Sequence, residues 1–109
     1  MTIEPMVAAI PQMGYGTWNR SADEAYQGVI WALEAGCRHI DTAQGYGNEQ
    51  DVARGIKDAG VPRNEIFITT KVKPENYGPG VVVPSVRESL EKLQTNQVDL
   101  LLLHLAVTA

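Results

Sequence analysis

Hydrophobic and polar positions fall into blocks along this chain, and the period changes from block to block. Met13–Trp18 predicts a first short strand. From Ser21 the period lengthens: Ala25, Val29 and Leu33 recur every four residues, as on the buried stripe of an amphipathic helix. Ser21 and Glu24 have capping-box spacing, and Gly36 supplies the stop. Cys37–Asp41 predicts a second strand, and Thr42–Gly47 a loop of small and polar residues. The cycle then repeats. Asn48 opens a helix with Val52, Ile56 and Ala59 on one stripe, ended by Gly60 and Pro62. Ile66–Lys71 is mostly β-branched and aromatic and reads as a third strand, followed by a loop to Gly80. A third helix is expected with Val83, Val86, Leu90 and Leu93 on its buried stripe. Val98–His104 is almost continuously apolar, the pattern of a strand covered on both faces of a parallel sheet.

This β-α-β-α-β-α-β order suits right-handed crossover units. A doubly wound sheet and the first half of an eight-stranded α/β barrel both fit. A complete barrel needs about 250 residues, whereas this chain has 109. It has room for four parallel strands with three helices, read as a single partial domain over residues 1–109.

Composition narrows the function. Hydrophobic residues make up 44% and charged residues 20%, so a globular chain is expected rather than a disordered one. Nine basic against thirteen acidic residues give a formal charge of −4, which argues against a nucleic-acid partner. No apolar run approaches the roughly 20 residues of a membrane helix, and Glu4 stands where a secretory leader would carry Lys or Arg. The lone Cys37 allows no intrachain disulfide and no zinc site of two or more cysteines. A soluble, reduced, cytoplasmic protein is the expectation.

In both architectures chemistry gathers at the C-terminal ends of the strands. Those ends carry Trp18, Asp41, Lys71 and His104. Alternation along a strand puts Phe67, Thr69 and Lys71 on one face, and Leu100, Leu102 and His104 on one face. If that shared face is the barrel interior, Asp41, Lys71 and His104 converge at one rim, with Tyr46 in reach on the adjacent loop. Strand ends are often polar simply because loops begin there, and an Asp41–Lys71 ion pair could do no more than tie two strands. Three ionisable groups in one register are harder to dismiss. A free tyrosine titrates near 10, and an adjacent ammonium favours its phenolate. Asp41 would hold Lys71 charged and oriented, and His104 would donate a hydrogen bond to a carbonyl. That set suits proton transfer to a carbonyl oxygen while a nicotinamide delivers hydride.

Gly36-Cys37-Arg38-His39-Ile40-Asp41-Thr42-Ala43, followed by Tyr46-Gly47-Asn48-Glu49, closely resembles the signature of the aldo-keto reductases. The likeness extends to Met13-Gly14-Tyr15-Gly16-Thr17-Trp18, to Ile68-Thr69-Thr70-Lys71-Val72 and to Asp99–His104. The resemblance implies an (α/β)₈ barrel, reduction of small-molecule aldehydes and ketones, and NADPH as cofactor with NADH left open. Carried over by position, it implies the catalytic tetrad Asp41, Tyr46, Lys71 and His104. It also implies cofactor contacts at Thr17, Trp18 and Asp41. Cys37 stands where an aromatic is usual, Ala53 where Gly is preferred, and Leu105 where relatives often have Trp-Pro. The later strands that grip the nicotinamide amide and the 2′-phosphate in the family have no counterpart before Ala109. Two alternatives stand beside the reductase: a catalytically inactive truncated fragment, and a half-barrel that self-associates.

Two other motifs carry less. Gly14-Tyr15-Gly16 lacks the third glycine of a dinucleotide fingerprint, since position 19 is Asn. His39 has no partner at metal-binding helix spacing, so no metal is expected.

Overall fold

The computed structural model describes residues 10–104. Four strands, β1 (Tyr15–Gly16), β2 (His39–Asp41), β3 (Phe67–Val72) and β4 (Leu100–Leu103), form one sheet in sequence order. Every pairing is parallel. The helices α1 (Ala22–Glu34), α2 (Glu49–Ala59) and α3 (Val82–Leu93) make the crossovers. The fold is the four-strand, three-helix arrangement expected from the pattern.

The capping box forms as spelled. Glu24 N–H donates to Ser21 Oγ at 3.2 Å, and Ser21 N–H donates to Glu24 Oε1 at 2.9 Å. These bonds hold the Glu24 carboxyl below its ordinary pKa. Ala25, Val29 and Leu33 are buried against Ile40, Val52, Ile56 and Ile68, with Leu93 at the edge of the same cluster. Alternation divides the sheet. Ile40, Ile68, Thr70 and Val72 face the helices, while Asp41, Thr69 and Lys71 lie on the opposite face.

α1 and α2 approach closely at Gly55. A Cβ there would lie 2.8 Å from the Tyr26 carbonyl oxygen and 2.9 Å from Val29 Cβ, both closer than real contacts. Gly55→Ala should therefore lower stability by about 1–2 kcal/mol, because overpacking outweighs the ~1 kcal/mol gain in helix propensity. A urea midpoint at or above that of the parent would refute the close-approach argument. Across the same seam, Tyr26 donates its hydroxyl to Asp58 Oδ2 at 2.5 Å, which raises the phenol pKa. The Arg54 guanidinium lies 4.5 Å above the Tyr26 ring.

Two expectations need correction. β1 is shorter than 13–18, because only Tyr15 and Gly16 pair with β2 before the chain turns at Thr17. Val98–His104 has the pattern of a covered strand, but four strands with three helices leave it without an outer cover, as the element count implies: Leu101, Leu102 and Leu103 are exposed, Leu103 by 63%. β4 is an edge strand, hydrogen-bonded to β3 alone among the described residues. On α3 the inward face is Ser85, Ser89 and Leu93, and Val83 is 58% exposed. Ser85 turns inward to accept from Gln44 Nε2, and Ser89 to reach Glu49, a buried carboxylate at the start of α2. It accepts from Ser89 Oγ at 3.1 Å and from Thr70 Oγ1 at 2.7 Å, so the α2–α3 seam requires hydroxyls where hydrophobic periodicity asks for Val.

Candidate active site

The strand register explains how three residues far apart in sequence meet. Asp41 pairs with Thr69, so Lys71 stands two residues further along the neighbouring strand. Lys71 pairs with Leu102, and His104 again stands two residues further. A step of two keeps the side chain on the same face. The three positions therefore climb diagonally along one rim of the sheet.

Tyr46 reaches that rim from the loop after β2, at the end of a single 3-10 turn, Gln44–Tyr46. Gly47 follows with φ +72°, which lets the chain reverse into α2 at little steric cost. His104 is held by its backbone: its N–H donates to Val72 O at 2.9 Å, and its carbonyl accepts from the Tyr77 hydroxyl.

Lys71 is the centre. Its ammonium donates to Asp41 Oδ1, to Thr42 O at 3.1 Å and to Tyr46 Oη at 3.3 Å. All three ammonium protons are thus directed. The Lys71 side chain is only 14% exposed, so this cation is held in place and shielded from bulk water. Nζ also lies 5.1 Å from the Tyr46 ring centroid, and the Tyr46 and His104 rings meet edge to face at 5.7 Å. The structure brings Asp41, Tyr46, Lys71 and His104 into one cluster. A cleft of about 420 Å³ opens beside it, lined by Trp18, Gln44, Tyr46, Lys73, Glu75 and His104.

The three candidate cofactor residues part company. Thr17 is fully buried; its N–H and its hydroxyl both donate to Asp41 O at 3.1 Å, which ties the chain after β1 to the end of β2. Trp18, 69% exposed, borders the cleft. Asp41 gives one carboxylate oxygen to Lys71, and among the described residues the other accepts no hydrogen bond. A free carboxylate oxygen can accept from a ribose hydroxyl, and an exposed indole can stack on a planar ring, so both side chains suit such a cofactor.

His39 takes no part in the cluster. Its Nε2 lies 2.9 Å from Thr69 Oγ1, and its ring packs on Phe67. No group of three metal-ligating side chains occurs among the described residues. Cys37 is a buried free thiol, and no helix among the described residues is long and apolar enough to cross a membrane. Sequence reasoning missed the support around Tyr46. Asn48 Nδ2 donates to Thr17 O at 3.0 Å and Arg20 O at 3.1 Å, and Gln44 reaches across to the segment after β3. The advance sign was Gln44 and Asn48, two amides flanking Gly45-Tyr46-Gly47 in a loop otherwise built of small residues.

The model of the aldo/keto reductase family matches residues 12–108. Methylglyoxal reductase DkgB of Escherichia coli O157:H7 is 49% identical over 96 residues, covering 88% of this chain and 36% of that protein. Among solved structures, the aldo/keto reductase of Brucella melitensis is similar at 48% identity with a TM-score of 0.84, over 87% of this chain and 36% of its own. The Bombyx mori aldo-keto reductase, solved in complex with NADP, matches at 44% identity with a TM-score of 0.82, over 87% and 34%. The chain spans about a third of the length of these relatives. The structural neighbours are (β/α)₈ barrels, of which these four strands form a part.

Proposed function

The chain belongs to the aldo/keto reductase family, and from that premise we propose that it carries the proton-transfer half of an NADPH-dependent reduction of aldehydes and ketones. The observation that carries this reading is the Lys71 ammonium, bonded at once to Asp41 and to the Tyr46 phenol oxygen. Tyr46 is the acid: its hydroxyl proton passes to the carbonyl oxygen of the substrate as that oxygen gains charge. The phenolate left behind is stabilised by the ammonium 3.3 Å away. Asp41 and Thr42 O hold Lys71 in that position, and His104, edge to face with Tyr46, orients the carbonyl from the other side.

A reduced nicotinamide supplies hydride when bound. Trp18 and Asp41 would meet its ring and ribose, while Thr17 fixes the backbone of Asp41 behind them. NADPH is proposed over NADH because the structural relative from Bombyx mori binds NADP. The substrate class is a small carbonyl compound, in line with methylglyoxal, on which the Escherichia coli relative acts by its name.

The test is a completed barrel, made by joining residues 1–104 to the remaining two thirds of the Escherichia coli relative. It should quench tryptophan fluorescence on NADPH titration and oxidise NADPH when given methylglyoxal. A folded barrel that binds NADPH without turning over any small aldehyde would overturn the reading.

A further inference from the structure

Tyr46 stands on the most permissive backbone near the cluster. It lies between Gly45 and Gly47, in one 3-10 turn that has no side-chain cap. The turn has two backbone bonds, Tyr46 N–H to Ala43 O at 3.2 Å and Gly47 N–H to Gln44 O at 3.4 Å, the second of them long. A lone 3-10 turn has poor hydrogen-bond geometry, and flanking glycines widen its freedom. A Cβ at Gly45 would meet nothing nearer than Lys73 Cβ at 3.9 Å, so packing there is loose. Yet a misplacement of about 1 Å at a reacting group costs on the order of 10²-fold in rate.

Gln44 supplies the fastening. Its Oε1 accepts from the Lys73 backbone N–H at 3.0 Å and from Asn76 Nδ2 at 2.9 Å. Its Nε2 donates to Ser85 Oγ at 3.2 Å, and the Ser85 hydroxyl donates onward to Val82 O at 2.8 Å. Both acceptor directions of the amide oxygen are filled. These anchors lie on the turn after β3, Pro74–Asn76 with Lys73 before it, and on the first turn of α3. The same segment carries Tyr77, whose hydroxyl bonds the His104 carbonyl. One strut therefore touches both the turn that bears the phenol and the backbone that bears the imidazole.

We propose that Gln44 is a positioning residue for Tyr46: its side-chain amide clamps the Gly45-Tyr46-Gly47 turn to the Lys73–Ser85 segment and holds the phenol between Lys71 and His104. Its catalytic meaning rests on the reading of Tyr46 as the acid; its structural content does not. Gln44→Ala removes three hydrogen bonds. Gln44→Glu keeps the acceptor oxygens, and the Ser85 hydroxyl can turn to donate to them.

The test has two arms. In the first, amide hydrogen exchange of the completed barrel is followed by mass spectrometry. Gln44→Ala should speed exchange over 43–47 and 73–77 by about tenfold or more, leave 22–34 unchanged, and be largely reversed by Gln44→Glu. Unchanged exchange at 43–47, a loss that also covers 22–34, or no rescue by Gln44→Glu would each overturn the clamp. In the second, Gln44→Ala in the completed barrel should lower kcat at least tenfold with the aldehyde KM within twofold, and Gln44→Glu should restore kcat. Parental kcat in Gln44→Ala would overturn the positioning role. A completed barrel without turnover sinks the reductase reading instead, and the exchange arm still decides the clamp.

Discussion

Tyr46→Phe in the completed barrel should lower kcat by about 10²- to 10⁴-fold, the usual contribution of a positioned general acid, with NADPH affinity within twofold. The substitution deletes one oxygen. It leaves the ring that packs against His104 at 5.7 Å, so the cleft keeps its shape. What goes is the proton donor that Lys71 holds at 3.3 Å. The next acid in line, the Lys71 ammonium, is engaged by Asp41 and by Thr42 O and does not face the cleft opening. The imidazole of His104 is the remaining candidate, so His104→Ala added to Tyr46→Phe should remove any residual rate. Steady-state kinetics with a fluorescence titration of NADPH separate the two effects. Turnover within tenfold of the parent would remove Tyr46 from the proton-donor role.

A polypeptide of residues 1–109 tested alone should show no NADPH-dependent reduction above background, and it should associate or melt without a sharp transition. Among the described residues the sheet has two open edges, at β1 and at β4, and the outer one presents Leu101, Leu102 and Leu103 to water. Open apolar edges invite pairing with another chain. Burying apolar surface stabilises by about 25 cal/mol per Å², so uncovered leucines forfeit part of what offsets chain entropy. Catalysis suffers separately. The cleft beside Tyr46 is open to solvent, which weakens every electrostatic contribution there, and hydride transfer needs a nicotinamide held in near-attack geometry. Both edges run in the same direction, so two copies related by a twofold axis along the strands could pair edge to edge. Sedimentation velocity decides the first half: a clean monomer with a cooperative melt would contradict it. Robust turnover would contradict the second.

The rim was legible because two simple periodicities multiply. Alternation within a strand fixes the face, and strand order fixes the neighbour, so Asp41, Lys71 and His104 could be placed together without any contact being known. The first helix was legible from Ser21 and Glu24 in the same way, since a capping box is a local bond pattern. The inward face of α3 was hidden, because its serines meet the Gln44 amide and the buried carboxylate of Glu49, and no hydropathy rule turns serines inward. Exposure at β4 was legible by counting elements: its leucines follow the pattern of a covered strand, but four strands with three helices leave the last strand without its outer cover. The Gln44 bonds were hidden because they join two loops, and loop-to-loop distances follow no period.

The diagonal climb of two residues per strand also governs what kind of change this stretch of chain can absorb. Adding one residue to β3 before Lys71 would exchange the two faces of the sheet from that point on. The core positions beyond it and the ammonium would be lost together. Adding two would restore the faces and the core, but would carry the lysine about 6.5 Å past Asp41, giving a sound fold with its chemistry dismantled. Substitution can proceed here one side chain at a time; length cannot. Insertions and deletions in these strands should therefore be filtered far more severely than replacements, and the loops from helix back to strand, which carry none of the cluster, are where this lineage is free to vary in size.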